Sequence, residues 1–92
     1  MELNLTKLRE EINEIDEEIV ELFKKRMDIA SRVAAYKKEH KLPILDEARE
    51  SALLERVSLL AGDELGKYAT ELYSAMLSVS RAYQAEKLSE KE

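Results

Sequence analysis

The chain has 92 residues, of which 38% are charged and 45% hydrophobic, and its formal net charge is −5. This length predicts one domain, 1–92, and two glycines with one proline favour long helices over a sheet. The negative charge and the lack of a basic run argue against nucleic-acid binding. The absence of cysteine excludes disulfides and thiolate chemistry, and with a single histidine we expect no metal site.

The N-terminus has no export pattern, and no stretch of eighteen apolar residues could cross a membrane. We therefore expect a soluble cytoplasmic protein that does not act at a membrane.

The first predicted helix covers about residues 5–40, far longer than the usual ~11–12 residues. Its apolar residues recur at alternating spacings of four and three, which places them on one face that needs burial. Asn4 or Thr6 can cap its start, and Pro43 is expected to end it.

Three cations, Arg9, Arg26 and Lys37, lie on this apolar face. Burying an unpaired ion costs several kcal/mol, so the pattern indicates that an anion binds there. Arg26 and Lys37 are about 16 Å apart along a helix and can converge on one ligand, whereas Arg9 is about 25 Å from Arg26.

The second predicted helix covers about residues 46–61. Asp46 is its predicted N-cap, and Arg49 and Glu50 follow in its first turn. Gly62 is a natural helix stop, and residues 63–66 are predicted to form a connector.

The third predicted helix covers about residues 67–88. Ser80 and Gln84 continue its apolar face and need hydrogen-bond partners if they are buried. Arg81 falls on another face and is placed outside any pocket.

The second helix would cover only the later half of the first helix, so we expect a homodimer built on the first helix. Arg9 would then serve the partner's site, with the two-fold axis near Ile19 or Val20. A plainer interpretation remains open, in which the cations pair with acids such as Asp16 or Glu50, or extend to solvent.

The order of the polar residues resembles the all-helical class of chorismate mutase. It runs from an arginine in the first helix through Arg-Met-Asp-Ile-Ala at mid-helix and Lys37 near its end. Pro-Ile-Leu-Asp-Glu-Ala-Arg-Glu follows, and Ser80 and Gln84 lie in the last helix. The resemblance covers about residues 5–88, and the ordered set of eight polar positions is far more specific than any one motif.

The resemblance implies an intertwined homodimer of three-helix chains that converts chorismate to prephenate for phenylalanine and tyrosine synthesis. No cofactor or metal is implied, and no further enzyme domain is expected, as in the free-standing type. The resemblance implies that Arg9 is donated across the dimer and that Arg26 holds a substrate carboxylate, with Ser80 nearby. It implies that Lys37 and Gln84 flank the ether oxygen. Glu50 would bind the ring hydroxyl, supported by the Asp46 backbone and Arg49. Arg26, Lys37, Glu50 and Gln84 are the implied catalytic residues.

Two other functions are compatible with these residues. An isochorismate pyruvate-lyase would share the fold and much of the cation set. A non-catalytic helical interaction module would use the same cations only for internal pairing.

Overall fold

The computed structural model describes residues 4–90, which form the helices α1 (Leu5–Glu39) and α2 (Glu47–Glu90) joined by residues 40–46. The predicted all-α class is confirmed. Within the described range, neither helix has a stretch apolar enough to cross a membrane.

Local hydrogen bonds start both helices where the sequence predicts. The Asn4 side chain accepts a hydrogen bond from the Lys7 backbone N–H at 3.2 Å. The Asp46 side chain does the same for the Arg49 N–H at 3.0 Å. Each cap satisfies one N–H group that has no partner inside its helix.

A turn of Schellman type ends α1 before the proline is reached. The Leu42 N–H donates to the Lys37 carbonyl at 2.7 Å, and the Lys41 N–H donates to the Lys38 carbonyl at 3.2 Å. Lys41 has a φ of 57°, the left-handed conformation that this turn requires and that glycine usually supplies. Pro43 therefore follows a helix end that backbone hydrogen bonds have already set.

The chain reverses direction inside α2, at Gly62. This residue has φ 88° and ψ 174°, and it divides the element into a first arm, residues 47–61, and a second arm, residues 63–90. Glu50 and Arg81 would be about 47 Å apart on a straight helix, but their side chains form an ion pair. The two arms therefore pack antiparallel to each other, and the second arm runs parallel to α1.

The predicted connector at residues 63–66 is wrong, since these residues are helical. The reversal needs no loop because Gly62 alone provides a backbone conformation that is open essentially to glycine. The structure thus has two helical elements with a sharp break, where the sequence predicted three separate helices. The second arm also begins about four residues earlier than predicted.

The core lies between the two arms and the second half of α1. Leu53, Val57 and Leu77 are buried together, and Leu54 and Tyr73 pack against them. Gly66 allows a close approach of the arms, because a Cβ atom there would lie 2.9 Å from Ser58 Oγ and 3.1 Å from the Ser58 carbonyl oxygen. On α1, the buried residues are Ala30 and Ala34.

The first half of α1 contacts none of this core, and residues 4–25 are all exposed. Large apolar side chains lie along it: Leu5, Leu8, Ile12, Ile15, Ile19, Val20, Leu22 and Phe23. The radius of gyration is 16.8 Å, against about 12 Å for a compact domain of this length. The predicted shortage of cover over this half of α1 is present in the structure.

Replacing Gly62 by alanine should destabilise the fold, because φ 88° with ψ 174° places a Cβ atom in strain. We expect a loss of about 1–3 kcal/mol in the free energy of unfolding. Urea denaturation at one fixed protein concentration measures it. Ser74→Ala, at an exposed helical position, is the control and should change stability by no more than about 0.5 kcal/mol. Equal midpoints for the two variants would contradict this account of the reversal.

Replacing Lys41 by glycine should have the opposite effect. The left-handed conformation at Lys41 costs about 1–2 kcal/mol for a residue with a Cβ atom. Glycine removes that strain but loses more chain entropy on folding, so we expect a net gain of about 0.5–1 kcal/mol. The same denaturation experiment measures the gain, and Lys41→Ala, which keeps the strain, should show none of it.

Candidate active site

A cavity of about 310 Å³ lies where the second half of α1 faces both arms of α2. This volume is in the range of sites for small molecules. Its apolar lining is formed by Ile29, Ala30, Val33, Ile44, Leu53 and Leu77, and its polar lining by Arg26, Lys37, Asp46, Arg49, Glu50 and Gln84. Six of the eight predicted site residues therefore lie around one apolar space.

α1 places Arg26 and Lys37 at the cavity, three turns apart. The Arg26 guanidinium carbon lies 6.0 Å from the ring centroid of Tyr73, within the range of a cation–π contact. The Lys37 ammonium donates a hydrogen bond to the Ile44 carbonyl at 2.7 Å, which ties the 40–46 connector to the cavity. Among the side chains described, those of residues 4–89, neither cation forms an ion pair with a carboxylate. The alternative in which they pair with nearby acids does not describe these two residues.

The first turn of α2 forms the opposite corner. Asp46 caps the helix through its side chain, and its carbonyl accepts the Glu50 N–H at 3.0 Å. These bonds hold Arg49 and Glu50 at the start of the helix, where both line the cavity. Asp46 thus positions this corner through the backbone as well as contributing to its wall.

Arg81 is not among the cavity-lining residues, as the sequence predicts, but its side chain pairs with Glu50, which is one of them. Its Nη1 group donates to both carboxylate oxygens of Glu50, at 2.6 Å to Oε2. The Arg81 side chain is 34% exposed and that of Glu50 is 22% exposed. The sequence pattern missed this contact because it depends on how the two arms of α2 are aligned after the reversal.

Ser80 and Gln84 are both buried. The Gln84 amide nitrogen donates to Ser80 Oγ at 3.1 Å. Gln84 lines the cavity, whereas Ser80 lies behind it and contacts the amide. Among the described residues, the Gln84 amide oxygen is buried with no hydrogen-bond partner. Such an atom carries a desolvation penalty unless a donor reaches it or the amide turns.

Arg9 is exposed and is not among the cavity-lining residues. It lies on the uncovered half of α1, well away from the second half that forms the cavity. The structure therefore brings Arg26, Lys37, Asp46, Arg49, Glu50 and Gln84 together and leaves Arg9 apart. Ile44 is a wall residue that the sequence reasoning missed, since a connector carries no helical periodicity.

The chain is similar to a known protein family and to a solved structure. The family model described as chorismate mutase type II matches residues 8–85. A solved structure described as a conserved hypothetical protein from Pyrococcus furiosus is 37% identical with a TM-score of 0.75. The similarity covers 91% of this chain and 99% of that one.

Two curated proteins are also similar over part of the chain. The T-protein of Haemophilus influenzae is 43% identical over 51 residues, which are 55% of this chain and 14% of that protein. The 4-amino-4-deoxychorismate mutase of Streptomyces venezuelae is 30% identical over 59 residues, which are 64% of this chain and 57% of that protein. The matched region thus spans less than two thirds of each of these proteins.

The family match covers most of the chain, including α1 from its second turn and α2 as far as Gln84, the last of the cavity residues. On that match the chain belongs to the chorismate mutase type II family.

Proposed function

We propose that this chain catalyses the rearrangement of chorismate to prephenate in its cavity. The observation that carries the proposal is the convergence of Arg26, Lys37 and Gln84 on one apolar space, with Glu50 at the opposite corner. Family membership supports the same reaction. The substrate is a dianion, and Arg26 and Lys37 are cations that form no ion pair with any carboxylate of residues 4–89.

The reaction is a [3,3] rearrangement within one molecule. The ether carbon–oxygen bond breaks as a carbon–carbon bond forms, so no proton or external nucleophile is consumed. The site has two tasks, which are to hold the folded conformer and to stabilise the negative charge that grows on the ether oxygen. Confinement in a cavity of about 310 Å³ serves the first task. Fixed donors in an apolar cavity serve the second, because they act more strongly on the transition state than on the ground state.

Lys37 and Gln84 are the proposed donors to the ether oxygen. Lys37 is held by the Ile44 carbonyl but keeps two further ammonium protons to donate. Gln84 is held by Ser80, whose hydroxyl can either accept from the amide nitrogen or donate to the amide oxygen. In the second arrangement the unpartnered amide oxygen is satisfied and the nitrogen is free to donate to the substrate.

The remaining residues are proposed to hold the ends of the substrate. Arg26 binds one carboxylate through its forked guanidinium group, which suits that shape better than an ammonium does. Glu50 accepts a hydrogen bond from the ring hydroxyl, with Arg49 and the Asp46 backbone beside it. Ser80 acts through Gln84, since the cavity wall does not include it.

A second copy of the chain is proposed to complete the site with its Arg9. The accessible surface is 7709 Å², against roughly 5,500 Å² for a compact monomer of 10.6 kDa. The difference between these two accessible surface areas lies in the range that the interfaces of obligate dimers bury. It coincides with the apolar first half of α1, so an antiparallel pairing of two α1 helices covers that face and carries Arg9 toward the partner's cavity.

The similar Streptomyces venezuelae protein is named for a substrate with an amino group in place of the ring hydroxyl. The two compounds undergo the same bond changes and differ at the substituent assigned to the Glu50 corner. We propose chorismate for this chain because Glu50 is already paired with a cation, Arg81.

Replacing Lys37 or Gln84 by alanine should lower kcat/KM for chorismate by about 10²–10³ each, since each change removes one donor to the ether oxygen. The decrease in chorismate absorbance gives kcat/KM for each variant, and chromatography identifies prephenate as the product. Lys38→Ala is the matched control, because Lys38 is exposed and outside the cavity wall, and it should retain activity. Unchanged turnover in both cavity variants would contradict the assignment.

The chain would instead be a lyase if it formed salicylate and pyruvate from isochorismate and did not convert chorismate.

Mixing two inactive variants tests the exchange of Arg9. Arg9→Ala and Lys37→Ala chains, unfolded and refolded together, should regain about a quarter of wild-type activity. Random pairing makes about half of the dimers mixed, and each mixed dimer has one intact site of two. Lys37→Ala mixed with Gln84→Ala is the control. Both residues come from the same chain in each site, so this mixture should regain nothing. A failure of the first mixture to regain activity would show that Arg9 does not act across a dimer.

A further inference from the structure

We infer that Arg81 is a positioning residue that sets which ring substituent the cavity accepts. It acts through Glu50 and favours a neutral hydroxyl over a positively charged amino group. The inference rests on the proposed function and assigns a role to a residue outside the cavity wall.

The geometry of the pair is the first support. Both carboxylate oxygens of Glu50 accept from Arg81 Nη1, and the two residues come from opposite arms of α2. Both side chains are at most about one third exposed, so water screens this pair less than the surface pair of Arg32 and Asp28, whose side chains are about 70% exposed.

The charge balance at the corner is the second support. Three cations and two anions line the cavity, and Glu50 is one of the two anions. Arg81 offsets the charge of Glu50 but leaves carboxylate lone pairs that can still accept a hydrogen bond from a hydroxyl. A neutral hydroxyl therefore gains a hydrogen bond at no electrostatic cost.

An amino group at the same position interacts differently with the charges of Glu50 and Arg81. An aliphatic amine is positively charged at neutral pH. Beside Glu50 it would lie close to the Arg81 guanidinium, and like charges brought together are strongly unfavourable. Without Arg81, the carboxylate of Glu50 becomes an uncompensated anion that favours the ammonium over the hydroxyl. Removing one cation should thus reverse the preference of the site.

Arg81 could instead serve only to tie the two arms together. That role predicts equal losses for both substrates, because a displaced arm harms the cavity as a whole. The ratio of the two kcat/KM values separates the possibilities, since a purely structural defect does not move it.

The experiment compares chorismate with 4-amino-4-deoxychorismate as substrates of the 92-residue chain. The wild type should favour chorismate. Arg81→Met should raise the ratio of kcat/KM, amine over chorismate, by about 10- to 100-fold. Arg81→Lys keeps the charge and should leave the ratio within about threefold of the wild type. Arg81→Gln replaces Arg81→Met if thermal unfolding shows that the methionine variant is not folded.

Two controls make the result specific. Arg32→Met removes an arginine from an ion pair outside the cavity and should leave the ratio unchanged. In a Glu50→Gln background, Arg81→Met should shift the ratio clearly less than it does in the wild type, because the direct repulsion by the Arg81 guanidinium is relieved but no carboxylate is left to expose. An equal shift in both backgrounds overturns action through Glu50.

The outcomes also separate the inference from the proposed function. A wild-type chain that converts chorismate, with an unchanged ratio in Arg81→Met, overturns the inference alone. A wild type that favours the amine overturns it as well. A chain that converts neither compound overturns the proposed function and the inference with it.

Discussion

The reversal of the chain at Gly62 is the constraint on which the cavity depends. It turns the second arm of α2 back along the first arm without a loop, so the alignment of the two arms has little freedom. That alignment places Gln84 opposite Lys37, and Arg81 against Glu50. Gly66 lets the arms approach near the turn, and the buried Leu53, Val57 and Leu77 hold them together. A different angle at one residue would separate all of these pairs.

Charged groups and apolar side chains line the same cavity. Without a ligand, the desolvation of these unpaired charges costs free energy. Arg26 lies over an aromatic ring, and Lys37 donates to a backbone carbonyl. Each contact orients a cation but leaves its charge uncompensated within the described residues. The apolar wall then strengthens any interaction with a bound anion, because it lowers the local dielectric constant. Donors held in this way need little reorganisation when charge develops in the transition state.

The uncovered half of α1 gives the molecule its extended shape of 59 × 28 × 14 Å. A long helix with a continuous apolar face cannot be buried by two arms that reach only its second half. The acidic and basic residues on its other faces keep that half hydrated there, while the apolar face needs a surface of matching length. A second α1 has that length and the same pattern, and this match is the reason for proposing a symmetric pairing.

Much of the fold follows from local pattern alone. Helical periodicity predicted α1, and the caps at Asn4 and Asp46 were readable because side-chain to backbone bonds span only three residues. Arg26, Lys37 and Gln84 could be proposed from their places on apolar helix faces, where polar groups need partners. Asp46, Arg49 and Glu50 were implied as site residues by the family resemblance. The role of each one remains a prediction.

What the sequence could not determine depends on contacts between distant residues. Arg81 was placed on an outward face because its helical neighbours indicate only the orientation along one arm. Its contact with Glu50, 31 residues away, was decided by the alignment of the arms after Gly62. The wall contributed by Ile44 was missed because a connector carries no helical periodicity, and no connector forms at residues 63–66 because Gly62 reverses the chain without a loop. Local periodicity determines which face of a helix is apolar, but only tertiary packing decides what that face meets.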